Sequence, residues 1–231
     1  MKALLLIMVG WILVGWILVG CAGAKAWTVP TDLHSGSAVE MVNTAAAAGR
    51  LSDLMIATEE QLFDSDEMRF AEFLRAALAS GKLSESEVST AEWMLNDVCE
   101  LNAPGSRAVD FEFKTPDGQE HTLWEYLPQK ALLLVIYDPD CGSCKATLSA
   151  LSDLTDEITV LAVCVEASEQ RWSQTRDLLP QSWHKGFDCD GILYNDYYVI
   201  RSMPGIYLLD GERNVIMKHP KIEQLLEQLK K

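Results

Sequence analysis

Ala131 to Tyr137 is an unbroken apolar run, Ala-Leu-Leu-Leu-Val-Ile-Tyr, and Ile158 to Val165 is a second run interrupted only by Thr159. Short runs without polar alternation, rich in branched residues, predict strands covered on both faces, and such strands need layers packed on each side. What lies around them fits that demand. Lys145 to Leu154 and Glu169 to Leu179 read as helices, the second ending at Pro180. Before the first run, Val109, Phe111 and Phe113 alternate with Asp110, Glu112 and Lys114. Pro116-Asp117-Gly118 then supplies a turn, and His121-Thr122-Leu123 starts a return strand. After the second run, Ile206 to Leu209 leads through Asp210-Gly211 into Val215 to Met217, a second hairpin signal. Lys221 to Lys231 closes the chain as an amphipathic helix carrying Ile222, Leu225, Leu226 and Leu229. The order is β-hairpin, β-α-β-α, β-β-α, which predicts an α/β fold with a central mixed sheet flanked by helices.

Upstream the period changes. From about residue 37 to 101 the pattern is helical, which predicts a small all-helical domain. Ser37 to Ala48 is alanine-rich and stops at Gly49. Thr58-Glu59-Glu60-Gln61 has capping-box spacing and predicts a helix start. Phe70, Phe73, Leu74, Ala77 and Leu78 share one face up to Gly81. Ser84-Glu85-Ser86-Glu87 is a second capping box, leading to Val88, Ala91, Leu95 and Val98. These stripes read as core. Asn102-Ala103-Pro104-Gly105-Ser106 breaks the pattern and marks the boundary. The expected division is a signal over 1–20, a tether over 21–36, a helical domain over 37–103 and the α/β domain over 104–231.

The signal reading rests on Met1-Lys2, an uncharged stretch from Ala3 to Gly20 containing Trp-Ile-Leu-Val-Gly twice, and small residues before a cut. Leu18-Val19-Gly20-Cys21 resembles the lipobox of bacterial lipoproteins, which implies lipidation of Cys21 and a stable anchor from several acyl chains. The other reading is an uncleaved membrane helix, since the run nearly reaches spanning length. Without residues 1–20, 18 basic residues remain against 34 acidic ones. That balance disfavours nucleic acid and anionic lipid headgroups as partners. Ala22 follows the cysteine where many inner-membrane lipoproteins carry aspartate, so the expected place is the outer membrane, facing the periplasm.

Six cysteines, at 21, 99, 141, 144, 164 and 189, are too few and too scattered for a disulfide scaffold. Only Cys141-Gly142-Ser143-Cys144 has Cys-x-x-Cys spacing, and it sits where a buried strand gives way to a helix. The placement has a chemical use. Unpaired N–H groups and the macrodipole of a helix start favour a thiolate at the first cysteine. The two-residue spacing lets the second thiol resolve a mixed disulfide. A structural disulfide and a metal pair are the competing readings. A metal site needs a second Cys or His pair at matching spacing, and none is present; no cofactor motif is found either. Cys164 reads as an inert core thiol, Cys99 and Cys189 as free, paired with one another or secondary redox sites, and His184 as a surface histidine, with approach to the dithiol as the other reading.

About sixty residues later, Ser202-Met203-Pro204-Gly205 directly precedes the apolar strand from Ile206. With the dithiol, these residues resemble the thioredoxin-fold, membrane-attached TlpA/ResA type of thiol-disulfide oxidoreductase. That resemblance runs from Val109 to the chain end. It implies a cis-proline loop at Met203-Pro204 facing Cys141 and Cys144, a backbone there that pairs with an extended substrate segment, and a proline that keeps the sulfurs from capturing a metal. Asn102 to Phe111 and Tyr137-Asp138-Pro139-Asp140-Cys141 resemble a narrower group of Gram-negative lipoproteins with an uncharacterised helical domain. The implied activity is reduction or isomerisation of disulfides in client proteins, with an envelope electron donor as second partner. The departures are local. Asp140-Cys141-Gly142-Ser143-Cys144 replaces Trp-Cys-x-Pro-Cys, and Val135 stands where thioredoxin has its buried carboxylate. Asp138 and Asp140 are then the candidate proton relay, although as negative neighbours they oppose a thiolate at Cys141. The competing class is a thioredoxin-shaped binding or scaffold protein whose helical domain engages an envelope partner. Peroxide reduction needs an activated cysteine in a different motif.

Overall fold

The computed structural model describes residues 27–152 and 158–229; the signal stretch and Cys21 lie outside them. Four helices come first: α1 (Ala38–Ala47), α2 (Leu51–Leu62), α3 (Glu67–Ser80) and α4 (Glu85–Trp93), the last continued by a π-helical turn over Met94–Glu100. Their starts are set by side-chain caps. Ser37 caps α1, Asp66 caps α3, and at α4 Ser84 and Glu87 form the reciprocal capping box the sequence predicts. Gly81 ends α3 in the left-handed conformation that glycine adopts without a Cβ penalty. The start expected at Thr58 is not one. Thr58 is buried within α2, and its hydroxyl donates to the Met55 carbonyl at 2.8 Å.

Phe70, Phe73, Leu74, Leu54 and Leu62 form the core of this bundle. The packed region begins earlier than the expected tether allows. Leu33 is fully buried, Trp27 and Val29 pack on the same core, and Arg69 on α3 donates to the carbonyls of Leu33, Ser35 and Gly36. Among the described residues no helix is long and apolar enough to cross a membrane.

The second part is a seven-stranded mixed sheet in the order β2-β1-β5-β4-β3-β6-β7. The strands are β1 (Glu112–Lys114), β2 (Glu120–Thr122), β3 (Leu132–Tyr137), β4 (Thr159–Cys164), β5 (His184–Asp188), β6 (Gly205–Leu209) and β7 (Val215–Lys218). The two apolar runs are the centre: β3 and β4 pair in parallel, Leu132 opposite Thr159 through Tyr137 opposite Cys164. The hairpins β1–β2 and β6–β7 are antiparallel, as the turn residues predict. β3 contributes alternately to two cores. Leu132, Leu134 and Ile136 pack with Phe111, Phe113 and Tyr207 on one face, and Leu133, Val135 and Tyr137 with Cys144 and Trp172 on the other. The second face is covered by α5 (Gly142–Ser152), α6 (Glu169–Thr175) and α7 (Ile222–Leu229).

β5 is absent from the sequence reading. It pairs in parallel with β4 and antiparallel with β1, and thereby joins the first hairpin to the sheet. Its Gly186 is a close approach: an added Cβ would lie 2.8 Å from the Phe113 ring. His184, expected at the surface, is half-buried in this strand, 2.8 Å from the Tyr126 hydroxyl through Nδ1.

The helical part and the sheet are joined by charge. Glu67 on α3 binds Arg201 and Lys218, each at 2.8 Å, and the Arg201 guanidinium stacks over Phe63 at 4.1 Å. Arg201 also donates to the Phe63 carbonyl, and Lys218 caps the carbonyls of Val98 and Leu101.

Candidate active site

β3 ends at Tyr137, the chain turns through Asp138 to Cys141, and α5 starts at Gly142. The turn is closed by the Cys141 N–H donating to the Asp138 carbonyl at 3.2 Å. It leaves Cys141 partly exposed at the first turn of α5, while Cys144, one turn further, is fully buried in the core. The Cys144 N–H points back at Cys141 Sγ at 3.4 Å, the unpaired helix-start donor that the spacing predicts. The two sulfurs are not bonded to one another.

Across from this helix start, the Met203–Pro204 peptide is cis and lies in the loop before β6. Ser143 joins the two parts. Its Oγ is 3.0 Å from Cys141 Sγ and donates to the Met203 carbonyl at 3.0 Å. The dithiol and Met203-Pro204 are therefore brought together, and Ser143 is a further candidate that bridges them. The signal was there: serine stands where the resembling family has proline, and it adds a hydroxyl and an N–H that proline lacks.

The electrostatics separate the two sulfurs. Cys141 is held below the ordinary thiol value, chiefly by the Ser143 hydroxyl and further by the Cys144 and Ser143 N–H groups. Burial pushes Cys144 up to about 12, and the nearby Asp138 carboxylate adds to the rise. The expectation that Asp140 opposes a thiolate at Cys141 meets a different arrangement. Arg171 on α6 binds the Asp140 carboxylate at both Nε and Nη2, which holds it ionised and offsets its charge. Asp138 spends one carboxylate oxygen on the Asp140 N–H at 2.8 Å. Cys164 is fully buried on the same sheet face and pushed up to about 12 by burial, as befits a core thiol. Cys99 is buried in the helical part, and Cys189 is exposed beyond β5.

A cavity of about 560 Å³ opens beside the dithiol, between α5 and the segment from Thr175 to Gln181, with Tyr137, Cys144 and Leu148 in its wall. The Tyr137 hydroxyl is enclosed beside Cys164 and Trp172, and among the described residues it completes no hydrogen bond of normal geometry.

On the far side of the sheet, Arg213 is buried with its guanidinium spent entirely on carbonyls. It donates to Leu123 at 3.0 Å, Lys130 at 2.8 Å, Leu127 at 2.7 Å, and also to Tyr126 and Asp210. It fixes the loop that feeds β3.

Residues 104–218 match the family model described as the AhpC/TSA family. Among solved structures, a thioredoxin-like protein from Bacteroides caccae is 24% identical, with a TM-score of 0.73 over 84% of this chain and 76% of that one. This likeness of fold extends past the sheet into the helical part. A conserved protein of unknown function from Bacteroides fragilis is 32% identical, covering 55% of this chain and 98% of that one, with a TM-score of 0.48. The thioredoxin domain of a thiol-disulfide oxidoreductase from Bacteroides vulgatus is 18% identical over 55% of this chain and 96% of that one, TM-score 0.47. No curated protein matches the chain.

Proposed function

Since residues 104–218 belong to the AhpC/TSA family and carry its thioredoxin-like fold, we propose that the chain is a thiol-disulfide oxidoreductase working through Cys141 and Cys144. The observation that carries this reading is the asymmetry of the pair: a partly exposed, acidified Cys141 at a helix start and a buried, basic Cys144 one turn behind it. That is the division of labour a nucleophile and a resolving thiol need. Cys141 as thiolate attacks a client disulfide. One sulfur–sulfur bond forms to the client, the client's own bond breaks, and a client thiolate leaves. Cys144 then loses its proton and attacks Cys141 Sγ, releasing the second client thiolate and leaving a Cys141–Cys144 disulfide. The client gains two electrons, and an envelope donor then supplies two more to reduce the Cys141–Cys144 disulfide back to the dithiol.

Met203 and Pro204 would hold the client beside Cys141, the Met203 backbone facing an extended segment. Asp138, whose charge reaches Cys144, fits the proton relay better than Asp140, which is committed to Arg171. Reduction or isomerisation is the proposed direction, following the resemblance to the TlpA/ResA type. The proposed setting is the periplasmic side of the outer membrane, with Cys21 lipidated, residues 1–20 removed and the helical region standing between anchor and dithiol.

The test is reduction of insulin disulfides by the soluble chain from residue 22 with dithiothreitol as electron source. Activity is expected for the natural sequence and none for Cys141→Ser, while Cys144→Ser should accumulate client adducts on Cys141. Absence of both turnover and adducts leaves the scaffold reading in its place.

A further inference from the structure

Ser143 has one hydroxyl proton and two claimants for it. A carbonyl can only accept, so at 3.0 Å from the Met203 oxygen the hydroxyl donates there. The Cys141 thiol, also at 3.0 Å, then completes a directed chain in which its S–H donates to Ser143 and Ser143 donates to Met203. The chain is satisfied only while Cys141 keeps its proton. Once Cys141 ionises, a hydroxyl still turned toward Met203 presents a lone pair to the sulfur anion. Turning it to Cys141 gives the thiolate the hydrogen bond that favours ionisation, but in the free chain that bond forms at the cost of the Met203 carbonyl's donor, so only part of its worth is realised there.

We propose that Ser143 is a positioning residue that couples client docking to activation of Cys141: a backbone N–H of an extended client segment takes over the Met203 carbonyl, and the freed hydroxyl turns to hold the Cys141 thiolate. The proposal rests on the disulfide-exchange reading of Cys141, Cys144 and the Met203-Pro204 loop. Its chemistry is conservative, because the hydroxyl keeps its proton and only its acceptor changes; the thiol proton leaves to solvent at the exposed helix start. His219, Lys221 and Glu223 line the cavity that Met203 and Pro204 share with Thr147 of α5, and the other charged and titratable groups lie on the turn before Cys141, its helix and its neighbour α6. Asp138 and Asp140 lie in the turn before it, Cys144 and Lys145 on α5, and Arg171 on α6 is bound to Asp140. The loop from Ser202 to Gly205 contributes no charged side chain. Among the described residues, the Ser143 hydroxyl is thus a rotatable donor that touches both the nucleophile and the docking loop.

The consequence is a preference for disulfides carried on a backbone that can donate. The probe is the disulfide-linked dimer of the pentapeptide Ala-Ala-Cys-Ala-Ala, compared with its analogue N-methylated at the amides. Below the Cys141 midpoint, the natural sequence is expected to reduce the amide peptide roughly tenfold faster than the methylated one, the scale of one hydrogen bond to a charged group. That ratio should shrink as pH rises and the thiolate forms unaided. Ser143→Ala should flatten the ratio at every pH, and Ser143→Thr, which keeps a hydroxyl, should restore it. A ratio that survives unchanged in Ser143→Ala, or that does not vary with pH in the natural sequence, overturns the coupling while leaving disulfide exchange intact. If the natural sequence reduces neither peptide nor insulin, the exchange reading itself falls, and the coupling with it.

Discussion

At the scale of single residues, the molecule separates thiols that look alike in the sequence. Cys141 and Cys189 both reach solvent, yet their surroundings push them in opposite directions: hydrogen bonds from Ser143 and the helix start lower the first, and partial burial raises the second. Alkylation with iodoacetamide, followed by peptide mass across a pH series, should therefore show Cys141 reacting with a midpoint below the ordinary thiol value and Cys189 with one above it. Arg213 is a residue whose role only the fold discloses. Nothing in Asp210-Gly211-Glu212-Arg213 marks a buried cation, because the five carbonyls it serves come mainly from residues 123–130. Arg213→Met should cost about 3 kcal/mol or more in denaturant unfolding, since the carbonyls lose their donors inside the protein. Lysine, a point charge with three donors, should recover only part of it.

At the scale of elements, legibility follows locality. The capping box at Ser84, the left-handed stop at Gly81 and the unbroken runs of β3 and β4 are each decided by neighbours in sequence, and each stands in the structure where the pattern placed it. Thr58 misled because capping-box spacing also arises inside a helix, and α2 had already begun at Leu51. β5 was invisible for the opposite reason. His-Lys-Gly-Phe-Asp has no strand periodicity, and it becomes a strand only because β4 and β1 offer partners on both sides. Its Gly186 carries that dependence. Gly186→Ala should cost about 1–3 kcal/mol in chemical denaturation, because the enclosed Phe113 ring has little room to retreat. The dithiol was legible by spacing and position. Ser143 was legible only in part: serine in the place of proline can be read in the sequence, but the carbonyl it serves lies in a loop sixty residues away.

At the scale of the whole molecule, Glu67 ties α3 to Arg201 and Lys218, so the bundle and the sheet share an ion-paired seam that reaches within two residues of Met203. Glu67→Gln should lower stability by about 2 kcal/mol, less than a fully enclosed pair would cost. It should also split a single calorimetric transition into two, as bundle and sheet begin to melt separately. The last consequence is optical. Trp172 and Trp183 pack in the same core as Cys144, whereas Trp27 sits against the helical bundle and Trp93 and Trp124 are exposed elsewhere. A disulfide quenches an excited indole at close range and a thiol does so far less. Closing the Cys141–Cys144 bond should therefore dim the emission of the two buried indoles and leave the others bright. Titrated against a glutathione couple in a fluorimeter, the chain would report its own state of charge in light, with no dye attached.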